Sequence, residues 1–213
     1  MPESFPKIYP ILDASILPAG GRAAYLHKLC ASMAEAGVTL LEYRNKSGSD
    51  EEILADCEIL RATLSSEQVM LILDDRADLV KHVEFDGVHV DAGDVAPAEA
   101  RRMLGAGYII GTFGGSDTLL PGILSEPVDY LAIGPVFPTA TKQTAKPPIG
   151  PEGVRALRLQ AGSGPVLVAA AGITLATAPA VLAAGANTVA VSAAIFRAAD
   201  PAAEFRRWLA ALT

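Results

Sequence analysis

The chain has 213 residues, of which 51% are apolar and 19% are charged, and its formal net charge is −7. This size allows one domain with a large buried core, and the acidic balance disfavours a nucleic-acid partner, which usually requires a basic surface. The sequence contains no apolar run near the roughly 18 residues of a membrane helix, and its start lacks the pattern of a secretory signal. We therefore expect a cytoplasmic protein with a single domain over residues 1–213 and no membrane or nucleic-acid partner.

Eight short apolar runs predict eight β-strands, and helical patterns lie between them. The predicted strands cover residues 8–12, 38–43, 69–73, 87–90, 108–111, 129–133, 165–169 and 188–191. The predicted helices cover residues 23–36, 50–64, 96–104, 152–160 and 176–184. A strand–helix order throughout predicts a parallel sheet covered by helices, and eight units favour a closed (β/α)₈ TIM barrel. A doubly wound open sheet is the alternative, but it often has a Gly-rich turn after its first strand, and none follows here.

The second predicted strand ends in alternating charged residues. Glu42, Arg44 and Lys46 are two residues apart, so in an extended segment they can face the same side. Barrel enzymes bind their ligands at the carboxyl ends of the strands, and this pattern predicts two cations and one carboxylate at that end. The alternative is an ordinary solvated strand end, which Arg and Lys often occupy.

Acidic residues follow the third and fourth predicted strands. Asp75 and Asp94 come from adjacent strands, and together they can hold a hard cation such as Mg²⁺, which takes oxygen ligands. Asp74 and Asp91 can serve instead as caps of the following helices. His89 can act as a base, but a histidine within an apolar strand is more often a hydrogen-bonded core residue.

The stretch 134–142 follows the sixth predicted strand and has the composition of an anion-binding loop. Thr139 and Thr141 supply hydroxyl groups and Lys142 a positive charge, while glycine and two prolines favour close approach and stiffness. Small residues after strands seven and eight leave backbone N–H groups accessible, as in the phosphate sites of many barrels. These small residues are Ala171, Gly172, Ser192 and Ala193. The pattern predicts a site for two phosphorylated groups.

Five motifs in this order resemble the thiamine-phosphate synthase family, and the resemblance spans nearly the whole chain. The motifs lie at residues 42–46, 74–79, 86–89, 134–142 and 185–195. The resemblance implies a (β/α)₈ barrel that joins 4-amino-5-hydroxymethyl-2-methylpyrimidine diphosphate to hydroxyethylthiazole phosphate and releases pyrophosphate. It also implies small phosphorylated substrates, magnesium as the cofactor and a possible homodimer.

The resemblance assigns roles to individual residues. Arg44, Lys46 and Lys142 match positions that contact the pyrimidine diphosphate and form the predicted catalytic set, and Asp75 and Asp94 match the magnesium ligands. The predicted substrate-binding set is Glu42, Tyr43, Asn45, Asp74, Phe113, Thr139, Ala140, Thr141, Ala171, Gly172, Ser192 and Ala193.

Several positions depart from the family pattern, and some of them line the expected pyrimidine pocket. The family usually has Gln at position 42, Asn at 74, Gln at 92, Ser at 113, Gly at 171 and Val-Ser at 192–193, where this chain has Glu42, Asp74, Ala92, Phe113, Ala171, Ser192 and Ala193. A carboxylate in place of an amide loses a hydrogen-bond donor. Two alternatives to the synthase therefore stay open: a thiazole tautomerase acting on a thiazole carboxylate phosphate, and a non-catalytic sensor of phosphorylated ligands.

Overall fold

The computed structural model describes residues 5–139 and 146–212, and its eight β-strands form one closed parallel barrel. The strands are β1 Ile8–Asp13, β2 Leu40–Arg44, β3 Met70–Asp74, β4 Gly87–Val90, β5 Ile109–Gly115, β6 Tyr130–Ile133, β7 Val166–Ala169 and β8 Thr188–Val191. Each strand pairs with the next in the sequence, and β8 pairs with β1, so no edge of the sheet is left open. The predicted TIM barrel is confirmed.

Seven α-helices occur within the described residues. They are α1 Arg22–Glu35, α2 Asp50–Thr63, α3 Pro97–Leu104, α4 Gly150–Ala161, α5 Ala178–Ala183, α6 Ala193–Phe196 and α7 Pro201–Leu212. None of these helices is both long and apolar enough to cross a membrane.

The expected strand–helix order is wrong at two places. Turns join β3 to β4, and a short 3₁₀ segment, Ile123–Ser125, is the helical element between β5 and β6. Asp75 and Glu84 have φ values of 68° and 56°, which a right-handed helix does not contain, so the chain between β3 and β4 cannot form one continuous helix.

Alternate strand residues point into the barrel and fill its lower part. This inner cluster consists of Phe5, Tyr9, Leu40, Ile72, Ile109, Tyr130, Val168 and Ala190. The intervening residues pack against the helices and form the larger hydrophobic core. Because the side-chain period of a strand is two, the next inward positions above the cluster include Glu42 and Asp74, and in β5 Phe113 follows after Gly111. The fold therefore places these polar and aromatic residues directly above a packed apolar floor.

Candidate active site

A cavity of about 540 Å³ opens above this floor, at the carboxyl ends of the strands. Its lining includes eight residues that the sequence predicts for the site: Glu42, Arg44, Lys46, Asp74, Asp94, Phe113, Thr139 and Ala171. They come from six of the eight strands or the loops that follow them. The barrel thus gathers residues that are up to 129 positions apart in the chain around one cavity.

The two cations at the end of β2 already contact carboxylates. Arg44 forms an ion pair with Asp13, and its Nε lies 3.3 Å from Asp74 Oδ2. Lys46 Nζ lies 2.9 Å from the same Asp74 oxygen and also contacts Asp75. Burial alone would lower the pKa of Lys46, but the two aspartates outweigh this effect and raise it, so Lys46 stays charged. Both cations are therefore positioned at the cavity before any anion binds.

Asp75 and Asp94 form the pair of carboxylates that the sequence predicts for a metal. Burial raises the pKa of Asp94, its hydrogen bond from the Asp91 backbone N–H opposes this, and the neighbouring Asp75 carboxyl adds to the rise. A carboxyl group that lies beside a second one suits a divalent cation, which offsets their repulsion. Among the described residues, no group of three or more metal-binding side chains comes together. Mg²⁺ needs no such group, because it often takes one or two protein carboxylates and completes its shell with water and phosphate oxygens.

Glu42 does not pair with Arg44. Its carboxyl accepts a 2.8 Å hydrogen bond from the Tyr9 hydroxyl, which lies 2.9 Å from the Tyr130 hydroxyl, which in turn lies 3.0 Å from His89 Nδ1. Burial, and then the nearby Asp74, raise the pKa of Glu42 to about 7. Close to neutral pH the carboxyl therefore exchanges between its acceptor-only and its donor-bearing form.

His89 continues this network towards the cavity mouth, with Nε2 3.5 Å from Asp91 Oδ1. Burial would lower the pKa of His89, but Asp91 and Glu42 raise it. His89 is thus both buried with hydrogen-bonding partners and part of the cavity lining.

The sequence analysis missed Tyr9 and Tyr130 in the site. The signal that was available is their position in apolar strands that point into the same barrel as Glu42.

Two predicted substrate-binding residues face away from the cavity, because neighbours in a strand point to opposite sides. The Tyr43 side chain is buried between β2 and the helices, and its hydroxyl contacts Asp56. The Asn45 amide donates to Glu52 and to Tyr43 rather than into the cavity. Neither side chain lines the cavity in this arrangement, and their role as substrate-binding residues stays a prediction.

The remaining predicted residues divide into two groups. Gly172, Ser192 and Ala193 lie just after β7 and β8 but outside the cavity lining, and Gly172 packs against the Phe137–Pro138 backbone. Ala140, Thr141 and Lys142 lie outside the described residues. For both groups the assignment stays a prediction.

A lysine that the sequence analysis did not select lines the cavity opposite β2. Lys146 Nζ lies 4.9 Å from the centre of the Phe113 ring, a distance at which a cation is attracted to an aromatic face. In the sequence, Lys146 resembles an ordinary surface lysine in a polar stretch, and only the folded chain brings it next to Phe113. The aromatic residue that replaces the usual serine thus provides a surface for a cation.

The model of a family described as thiamine monophosphate synthase matches residues 8–195. The chain belongs to this family. A thiamine-phosphate synthase of Koribacter versatilis is 40% identical over 153 residues, covering 72% of each chain, and one of Bacteroides fragilis is 38% identical over 180 residues, covering 82% of this chain and 87% of the relative. A solved thiamine phosphate pyrophosphorylase from Pyrococcus furiosus is similar over 97% of this chain and 95% of its own, with a TM-score of 0.77 and 25% identity. The family resemblance that the five motifs indicate is confirmed.

Proposed function

We propose that this member of the thiamine monophosphate synthase family is an active thiamine-phosphate synthase. It would join 4-amino-5-hydroxymethyl-2-methylpyrimidine diphosphate to hydroxyethylthiazole phosphate and release pyrophosphate. The observation that carries the proposal is the placement of Arg44 and Lys46 in one cavity lining, where Lys46 also contacts Asp75, one of the two carboxylates predicted to hold the metal. Two fixed cations with a metal-binding pair suit a diphosphate leaving group.

In the reaction, the bond between the pyrimidine methylene carbon and the diphosphate oxygen breaks, and the electron pair leaves with pyrophosphate. The resulting pyrimidine-methyl cation accepts the lone pair of the thiazole nitrogen, which forms the new C–N bond. Arg44 and Lys46 would bind the diphosphate and stabilise its growing negative charge. This exchange of partners would free the Asp74 carboxyl, which lines the cavity and would then face the cationic ring.

The floor of the cavity contributes by excluding water. Ile11, Ala132, Val168 and Ala190 line it, so the pyrimidine-methyl cation would meet few water molecules before the thiazole arrives. The Asp75 and Asp94 carboxylates would hold Mg²⁺, which neutralises charge on the leaving diphosphate when it is bound. The proposed magnesium dependence is supported by the closeness of this carboxylate pair to Lys46.

Glu42 and Asp74 need not abolish this activity. Because its pKa is about 7, Glu42 can present a carboxylic acid O–H where the family usually has an amide N–H. Asp74 is neutralised by its contacts with Arg44 and Lys46 in the absence of substrate. We therefore propose that the two substitutions are tolerated. The homodimer, the single domain over residues 1–213 and the cytoplasmic location stay predictions.

The test is pyrophosphate release by the purified protein with both substrates, with and without Mg²⁺. We expect release that needs both substrates and the metal, and Asp75→Asn should raise the Mg²⁺ concentration needed for half of the maximal rate. Gln68→Ala is the matched control, because Gln68 is exposed at the opposite end of the barrel, before β3, and should behave as the intact protein does. Rearrangement of a thiazole carboxylate phosphate without pyrophosphate release would indicate a tautomerase instead, and binding without turnover a sensor.

A further inference from the structure

The loop between β2 and α2, residues 45–49, brings Lys46 to the cavity. A lysine side chain has four rotatable bonds, so holding it in one place costs conformational entropy. The contacts of Lys46 with Asp74 and Asp75 depend on where the loop places the Lys46 backbone. The hydrogen bonds that shape this loop therefore bear on the electrostatics of the site.

Asn45 satisfies both ends of its amide within this loop. Its Oδ1 accepts from the backbone N–H groups of Gly48 at 2.8 Å and Ser47 at 3.3 Å, which closes a turn around Lys46. Its Nδ2 donates to Glu52 Oε1 at 2.9 Å and to the Tyr43 hydroxyl at 3.2 Å. One side chain thus joins the end of β2, the tip of the loop and the first turn of α2.

The packing around Asn45 leaves little room for another arrangement. A Cβ atom at Gly48 would lie 2.7 Å from Glu52 Oε1 and closer still to Asn45 Nδ2. Ser49 caps α2 by accepting from the Glu52 backbone N–H. The loop is therefore held at both ends, with Asn45 between them.

A partly buried ion pair connects this arrangement to the neighbouring helix. Arg22 of α1 contacts Glu52 at 3.2 Å and Asp56 at 2.6 Å, and the Tyr43 hydroxyl also contacts Asp56. Because Asp56 is buried, its contacts with Arg22 and Tyr43 are strongly favoured over contacts with water. The network extends from α1 through α2 to Asn45, immediately behind the loop that carries Lys46.

We propose that Asn45 is a positioning residue for Lys46, and that it acts on the anion site through the loop rather than by touching substrate. This inference assigns a role to a residue that neither the cavity lining nor the chemistry of the reaction requires. It builds on the proposed function, because it takes the anion at Lys46 to be the diphosphate. The same reasoning predicts a selective effect: the binding of the diphosphate group should depend on Asn45, and that of the thiazole phosphate should not.

The experiment measures binding of inorganic pyrophosphate in the presence of Mg²⁺ by calorimetry, so that it does not depend on turnover. We expect Asn45→Ala to weaken pyrophosphate binding about 10-fold, since misplacement of a binding group by about 1 Å already has effects of that order or larger. Binding of hydroxyethylthiazole phosphate should change less than about twofold. Gln68→Ala is again the control, and thermal unfolding of each variant reports on the fold.

A double-mutant cycle separates positioning from general weakening of the structure. If Asn45 acts through Lys46, then Asn45→Ala should have almost no further effect on pyrophosphate binding in a Lys46→Ala background. Equal effects of Asn45→Ala with and without Lys46 would overturn the proposal. So would a failure of the intact protein to bind pyrophosphate. Pyrophosphate binding with normal coupling but without turnover would instead contradict the synthase and leave the positioning role intact.

A reversed pair gives a second test that does not depend on removing the side chain. Asn45→Asp keeps the oxygen that closes the turn but places a carboxylate against Glu52, so it should weaken pyrophosphate binding. Combining it with Glu52→Gln removes that repulsion and restores a donor and an acceptor across the pair with their roles exchanged, while the introduced amide nitrogen replaces the Oε1 that also contacts Arg22. We expect the double variant to recover part of the affinity that Asn45→Asp loses, and the absence of any recovery would contradict the proposal.

Discussion

The two halves of the barrel mouth differ in the side chains that they present. The half formed by β1–β4 presents charged side chains in contact with one another, among them Arg44, Lys46 and Asp74. The half formed by β5–β8 is lined mainly by small residues, proline and an aromatic ring, including Phe113, Pro135 and Ala171. Charged groups hold and stabilise a leaving anion, whereas small residues let backbone and ring approach a ligand closely. The division suggests that diphosphate chemistry belongs to the first half and the second substrate to the other.

The division also concerns how each half is held in place. Ion pairs and hydrogen bonds between side chains fix the first half, as in the Arg44–Asp13 pair. Backbone hydrogen bonds between two closely packed loops fix the second half. The N–H groups of Val136 and Phe137 donate to the carbonyl oxygens of Ala170 and Ala171. A change of charge should therefore affect the first half most, and a change of volume or backbone freedom the second.

Removal of the Arg44 guanidinium should have the largest effect. We expect Arg44→Ala to lower kcat/KM for the pyrimidine diphosphate by about 100- to 1000-fold, because a fixed donor to the leaving group is lost and the Asp74 carboxyl in the cavity loses one of its cationic partners. Arg44→Lys keeps the charge but not the forked geometry, and should recover part of the loss. Steady-state kinetics with each substrate varied in turn would measure this. A loss below about threefold would show that the charged half does not bind the diphosphate.

Replacement of Glu42 by Gln should raise stability in a pH-dependent way. The pKa of Glu42 is about 7 in the folded protein, above its ordinary value of about 4.5, so the carboxyl is protonated in both states below pH 4.5 and its burial as a charge opposes folding above pH 7. The Glu42→Gln variant should therefore gain stability relative to the intact protein as the pH rises from 4.5 to 7. The difference between their free energies of unfolding should increase by about 3 kcal/mol over this range.

Denaturant titrations at several pH values would measure this difference. Glu42 also raises the pKa of His89, so the measured difference reports on the two groups together. Glu67→Gln, at an exposed position before β3, should show no such trend. A difference that did not vary with pH would mean that Glu42 ionises normally.

The charged half could largely be predicted from the sequence, because its chemistry follows from the residue types. The position of Arg44 two residues beyond Glu42 sufficed to place both side chains at the mouth. The hydrogen bond between Tyr9 and Tyr130 could not be predicted in this way, since a tyrosine in an apolar strand is also typical of an ordinary core. Nor does the residue type at Ala171 indicate its positive φ, which depends on the contact between two loops.

A methyl group at Gly172 should disturb the second half. Gly172 has a φ of 67°, and a Cβ there would lie 2.8 Å from Phe137 Cβ and closer still to the Pro138 carbonyl oxygen. We expect Gly172→Ala to lower the free energy of unfolding by about 2 kcal/mol and to raise KM for the thiazole phosphate more than KM for the diphosphate. Kinetics with each substrate varied would show this selectivity. An equal rise in both KM values would contradict the division of the mouth into two halves.

The smallest effect should come from the residue just before it. Ala171 has a φ of 76°, a left-handed conformation that is unfavourable by about 1–2 kcal/mol for a residue with a Cβ, while glycine adopts it readily but gains freedom in the unfolded chain. Ala171→Gly should therefore stabilise the protein by up to about 1 kcal/mol and raise Tm by about 2–4 °C. Ala170→Gly is the matched control, because Ala170 has no positive φ, and glycine there should destabilise the protein. An equal fall in Tm for both variants would contradict this expectation. It would show that packing contacts of the Ala171 Cβ, rather than backbone freedom, determine the conformation of this loop.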